Sequence, residues 1–151
     1  MKQKILKLRR ILLMAILGTA ISAALTAGEI NTDRNNTAIK GYDPVSYFLE
    51  SDARKGSSKY SLEWKGATWY FSTDENRSLF ASNPEKYAPR FGGYCANGLS
   101  DRHKIGGNPQ IWLIQEGELF FFFSRRGRSA WIDDSSKKLA AESYWKLVQF
   151  Q

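Results

Sequence analysis

Two neighbouring stretches alternate apolar and polar residues with a period of two. Tyr60-Ser-Leu-Glu-Trp64 and Ala67-Thr-Trp-Tyr-Phe71 flank Lys65-Gly66. The alternation and the aromatic content predict a β-hairpin. A second pair, Ile111-Trp-Leu-Ile-Gln115 and Glu118 to Ser124, flanks Glu116-Gly117 and predicts another. The run Phe120 to Phe123 is too apolar for a strand with one wet face. It is expected as a central strand covered on both sides.

Helical signals lie between these strands. Asp43-Pro44 reads as an N-cap and a first helical residue, followed by Val45, Phe48 and Leu49 at helical spacing. Ser72-Thr-Asp-Glu75 opens a helix through Leu79 and Phe80 that stops near Asn83-Pro84. Pro84 to Tyr87 adds a turn. Arg128 to Ile132 reads as helical. In Ser136 to Gln149, Leu139, Ser143 and Leu147 share one helical face, and Ala140, Tyr144 and Val148 another. The expected fold class is therefore α+β: a small antiparallel sheet of two hairpins covered by several helices. No internal repeat and no low-complexity segment is visible. Polar residues 28–37 read as a flexible N-terminal arm before a domain spanning 38–151.

The start of the chain has a different pattern. Lys2, Lys4, Lys7, Arg9 and Arg10 precede a stretch from Ile11 to Leu25 that is apolar apart from Gly18, Thr19 and Ser22. Small residues Ala23, Ala24 and Ala27 follow. This is the layout of a secretory signal peptide over residues 1–27, with cleavage expected after Ala27. The apolar run of about fifteen residues is short for a membrane span, which needs roughly 20. A retained anchor is the alternative. Arg9-Arg10 is a weak hint of twin-arginine rather than general export. The expected location is exported, periplasmic or secreted, with no stable membrane span after cleavage.

Cleavage changes the charge argument. The whole chain carries +7. Five of the 22 basic residues precede Gly28 and all fifteen acidic residues follow Ala27, leaving a net charge of +2. A strongly basic balance would imply nucleic acid or an anionic surface; residues 28–151 do not have one, and no nucleic-acid partner is expected. Arg125-Arg126-Gly127-Arg128 reads as a solvated helix face.

Candidate chemistry concentrates in Phe91-Gly-Gly-Tyr-Cys95-Ala-Asn-Gly-Leu-Ser-Asp-Arg-His103, which holds the single cysteine and the single histidine of the chain. Both methionines lie before residue 28. One cysteine cannot form an internal disulfide, so in an oxidising compartment the thiol must be buried, metal-bound, modified or paired with another molecule. Gly92 and Gly93 allow a positive φ and close backbone approach. A helix beginning at Cys95 would aim N–H groups at the sulfur. Arg90, Arg102 or Lys104 would add positive charge if they lay nearby. The bland alternative is a small buried apolar side chain.

Several motifs together resemble the secreted YHS-domain proteins, single-domain and related to selenoproteins. They are Ala38-Ile-Lys-Gly-Tyr-Asp-Pro-Val-Ser-Tyr-Phe48, Gly66-Ala-Thr-Trp-Tyr-Phe-Ser72, Asn83-Pro-Glu-Lys-Tyr-Ala-Pro89 and Gly92-Gly-Tyr-Cys-Ala96. The resemblance runs over roughly residues 38 to 149. It implies a small α+β domain regarded as a metal-binding module. Some similar proteins carry selenocysteine where Cys95 stands, which implies that Cys95 is kept for its chalcogen chemistry. Shorter domains of the family rest their metal site on more than one cysteine, and this chain has one.

The expected function is an exported domain, a binding module rather than an enzyme, that holds a soft metal ion or small ligand through Cys95. His103 is the expected second metal ligand, and Tyr94, Tyr42 and Asp43 are candidates to line the same pocket. Copper or zinc fits a Cys–His donor pair. A closed zinc site would need two more ligands, such as Asp43 and Asp101, or a second chain in a homodimer. Two other readings stand beside this one. A thiol redox enzyme or redox partner would use Cys95 alone, with an external thiol for want of a resolving cysteine. A structural or interaction domain would simply bury an inert Cys95. No phosphate loop, dinucleotide fingerprint or hydrolase signature surrounds these residues.

Overall fold

The computed structural model describes residues 28–151. The segment read as an export signal, residues 1–27, lies outside them. Among the described residues no helix is long and apolar enough to cross a membrane. A 3₁₀ turn at Ile39–Gly41 leads to helix α1 (Ser46–Leu49), strands β1 (Ser57–Trp64) and β2 (Ala67–Phe71), and helices α2 (Asp74–Ser82) and α3 (Pro84–Tyr87). A second 3₁₀ turn at Arg90–Gly93 leads to α4 (Ala96–Ser100), β3 (Asn108–Gln115), β4 (Glu118–Phe122), α5 (Arg125–Asp133) and α6 (Ser136–Val148). The α+β class follows. Each hairpin is its own two-stranded antiparallel sheet rather than part of one sheet.

The local rules operate as the residue types dictate. Lys65-Gly66 and Glu116-Gly117 turn the two hairpins with positive φ at both central positions, 49° and 72°, then 54° and 78°, which matches the right-handed twist of the flanking strands. Thr73 and Ser124 cap α2 and α5, each hydroxyl accepting a backbone N–H three residues on at 3.1 Å. Asn83 closes α2 and Pro84 starts α3.

Strand β4 explains the four-phenylalanine region. Leu119 and Phe121 enter one core with Tyr47, Trp69, Phe71 and Phe80, while Phe120 and Phe122 enter a second with Phe91, Leu99 and Trp131. The strand is a wall with a core on each side, so its period-two alternation is hidden by apolar residues at every position. Phe123, just past its end, is 63% exposed. Tyr47 ties the first core to β3: its buried hydroxyl donates to the Pro109 carbonyl at 2.9 Å.

Residues 28–37 run along the domain. Asn31 N–H donates to Gly92 carbonyl at 2.8 Å, Ile30 is buried, and Glu29 pairs with Lys65 at 2.6 Å. Gly92 is held to glycine by this contact, since a Cβ there would collide with the Glu29 carbonyl.

The structure corrects one expectation. The chain is built from two like units. Ile39, Lys40 and Gly41 take φ of 44°, 56° and 73°, and Phe91, Gly92 and Gly93 take 56°, 59° and 85°. Gly41 carbonyl accepts from Gly56 N–H, and Gly93 carbonyl from Gly107 N–H. Each left-handed run precedes a short helix, a hairpin and a nine-residue capped helix. Both hairpins break register at the same distance from their turns, between Ser57 and Ser61 and between Asn108 and Trp112. From β1 to the end of α2 every residue has a counterpart 51 positions later. Only Leu62, Gly66, Phe71, Arg77 and Ser78 are identical to their counterparts, which is why the repeat does not show in the sequence.

Candidate functional site

Cys95 sits at the N-cap of α4 and is 2% exposed. Two backbone N–H groups converge on its sulfur, from Gly98 at 3.3 Å and from Phe123 at 3.1 Å. The first comes from the opening turn of α4 and the second from the exit of β4. The Cys95 backbone is fixed as well: its N–H donates to Ile105 carbonyl at 2.8 Å, and it bridges to Phe121 on β4. Donors of this kind stabilise negative charge on the acceptor they face. A metal thiolate, or the charge that develops as sulfur attacks an electrophile, would benefit.

Cys95 borders an open groove of about 310 Å³ whose walls include Asn97, His103, Ile105, Phe123 and Gly127. Cys95 and His103 both border this groove. His103 is on its exposed loop, held by a bond from its own N–H to Gly98 carbonyl at 2.8 Å. Asn97 Nδ2 donates to Asp101 at 3.0 Å, and the buried Asn97 Oδ1 has no partner among the described residues.

The other candidates stand elsewhere. Tyr94, Tyr42 and Asp43 do not border this groove. Tyr94 packs near Trp145 and under the Lys104 ammonium, and burial raises its phenol above the usual value. Tyr42 lies under Lys55. Asp43 is fully buried as the hub of the first unit. Its Oδ1 accepts from Val45 N–H at 2.8 Å, and its Oδ2 from Ser72 N–H at 2.8 Å, Ser72 Oγ at 2.6 Å and Asn76 Nδ2 at 2.7 Å. Asp43 is not the helix cap expected from sequence: α1 begins at Ser46 with Val45 as its cap residue, and the carboxylate instead holds the turn before α1 and ties it to β2 and α2.

The positive charges considered near the thiol are engaged away from it. Lys104 Nζ donates to the carbonyls of Gly28, Val148 and Gln151, and its desolvation lowers its pKa. Arg90 pairs with Glu118 and Glu142, and Arg102 lies over Tyr144.

Asp43 and Cys95 hold corresponding positions in the two units. Asp43 N–H donates to Arg54 carbonyl as Cys95 N–H does to Ile105 carbonyl. Ser72 N–H, which serves Asp43, corresponds to Phe123 N–H, which serves Cys95. Gly127, Phe123 and Ile105 were not among the site residues expected from sequence, which read Gly127 in a solvated helix face and Phe123 in a covered strand. The signal that would have found Gly127 is a glycine early in a helix at the position 51 residues after Asn76.

The donor set limits what metal the groove can hold. Among the described residues no three His, Cys, Asp or Glu side chains cluster at metal-binding spacing. Asp43 is saturated by four donors, and Asp101, although it borders the groove, is paired with Lys137 at 3.0 Å. A closed four-ligand zinc site within one chain does not fit these residues. A soft ion held by Cys95 and His103, or completed by another molecule, fits the donor types.

The family model for the YHS domain matches residues 45–91. The match covers α1 to the start of the second 3₁₀ turn. It takes in most of the first unit and ends four residues before Cys95. No curated protein and no solved structure matches the chain.

Proposed function

We propose that this is an exported, selenoprotein-related YHS protein that binds a soft metal ion or small ligand through Cys95. The observation that carries the reading is the sulfur itself: it accepts two backbone N–H bonds at the side of an open groove shared with His103. A cysteine used only for packing needs neither the converging donors nor the opening. Copper(I) suits a two-donor Cys–His site better than zinc, which wants four ligands. In this reading Cys95 is the anchoring donor and His103 the helper at the rim. Tyr94, Tyr42 and Asp43 act by holding the fold.

The test is a competition titration of Cu(I) and Zn(II) against a chelator with the reduced protein, Cys95→Ser and His103→Ala. One Cu(I) per chain, lost in Cys95→Ser and weakened in His103→Ala, is expected. Equal binding by wild type and Cys95→Ser would remove the site. Export predicts a mature amino terminus at Gly28, which intact mass of the secreted or periplasmic protein reads directly.

A further inference from the structure

In the first unit two side chains finish the acceptor. Ser72 Oγ and Asn76 Nδ2 donate to Asp43 and occupy the space above it, and Asn76 is buried. In the second unit their counterparts are Phe123, which has no side-chain donor, and Gly127, which has no side chain. Cys95 keeps the backbone donor from β4 and loses both side-chain donors. The groove is bordered by Gly127, which stands at the position Asn76 holds in the other unit. Glycine at 127 is not required by the backbone: α5 is regular there, and a Cβ would meet Ser124 Oγ at 3.4 Å and Asn97 Cβ at 3.6 Å, ordinary contacts. A helix position that would accept alanine and carries glycine forgoes helix stability, and here the missing side chain leaves the groove open.

We propose that Gly127 is the specificity-determining position of the Cys95 groove, and that the vacated volume receives a small uncharged group with an N–H donor, of the carboxamide class. The proposal rests on Cys95 being an accessible donor, as argued above. Cys95 borders this volume, and its sulfur is an acceptor with backbone donors only. No lysine or arginine borders it, and Asp101 does. An anion gains nothing there, while a neutral N–H donor would serve the sulfur as the Asn76 amide serves Asp43.

Iodoacetamide and iodoacetate are the probes, since they differ in carboxamide against carboxylate. In either case sulfur forms an S–C bond, the C–I bond breaks, iodide leaves and the thiol proton goes to solvent. Rates at Cys95 are measured in the folded protein and in urea, for wild type and for Gly127→Ala, Gly127→Ser and Gly127→Asn, with melting curves to show that each variant is folded. The expected result is a stepwise fall through the series, roughly tenfold or more for Gly127→Asn. The amide-over-acid preference of folded wild type should exceed that of the urea-unfolded chain and disappear in Gly127→Asn. The Ala and Ser variants keep the series readable should Gly127→Asn fail to fold. Reactive wild type with no fall along the series overturns the role of Gly127 alone. A fall with the same amide preference folded and unfolded overturns the ligand class alone. A folded wild type that reacts with neither probe overturns this inference together with the accessible Cys95 beneath it.

Discussion

Asp43 and Cys95 occupy the same place in two like units and are finished in opposite ways. Asp43 is closed over: four donors, two of them on side chains, saturate a buried carboxylate. Cys95 keeps two backbone donors and borders an open groove. The frame around each acceptor is shared, from the left-handed run before it to the capped helix after it. The difference lies in a few side chains, Asn76 against Gly127 and Ser72 against Phe123. One copy of the frame is thereby used for stability and the other is free for chemistry. A carboxylate with every lone pair engaged has none left for a ligand, whereas a sulfur beside a groove keeps lone pairs unused.

The largest effect should come from breaking the closed hub. Asp43→Ala leaves the Ser72, Asn76 and Val45 donors without their acceptor in a dry core. Each such loss costs about 1–3 kcal/mol, so roughly 4 kcal/mol in total is expected in urea unfolding. A loss under about 1 kcal/mol would mean that the network is not a stability device. Asn76→Gly imitates the second unit. It removes one amide–carboxylate bond and adds a helical glycine, for about 2 kcal/mol. It should also open a groove over Asp43, visible as a new small-molecule site in a crystal soak.

Tyr47 is buried in the first core, and burial, with smaller contributions from Tyr42, Asp43 and Asp52, pushes its phenol far above the usual value. In the unfolded chain the phenol ionises near pH 10. Its contribution is thus complete below about pH 10 and is lost as pH rises beyond it, because only the unfolded state then releases the proton. Tyr47→Phe should flatten this alkaline slope and cost about 1 kcal/mol at neutral pH through the lost bond to Pro109. An unchanged slope between pH 9 and 11, read from urea midpoints, would assign the alkaline loss to other groups. Cys95→Ser is expected to be the mildest for the fold, about 1 kcal/mol or less, since a hydroxyl also accepts from both N–H groups. It should abolish metal binding and alkylation all the same. Stability loss comparable to that of Asp43→Ala would erase the contrast between the units.

Much of this was legible in the chain. Both hairpin turns, the Ser72-Thr-Asp-Glu75 helix start and the Asn83-Pro84 stop are set by residues adjacent in sequence, and local φ/ψ and capping preferences act at that range. The burial of Phe120 to Phe122 on both faces was also legible, because no wet strand carries such a run. Less was legible at the site. Cys95 and His103 lie eight residues apart, and that spacing left open whether they share a site; the fold places both at one groove. Nor was the rest of the groove legible. Phe123 and Gly127 reach it through the β4–α5 connection, and Ile105 through a loop fixed by backbone bonds.

What the sequence determined by itself was the element list, the α+β class and the identity of the one soft donor. These depend on residue type and on spacing within a turn or two. Tertiary structure alone decided that the chain is a doubled unit, since packing preserves backbone geometry and core volume while side chains diverge. It alone also decided that Asp43 is sealed and Cys95 open. Whether an acceptor is saturated depends on residues some 30 positions away folding onto it, and no local pattern around Asp43 or Cys95 records that.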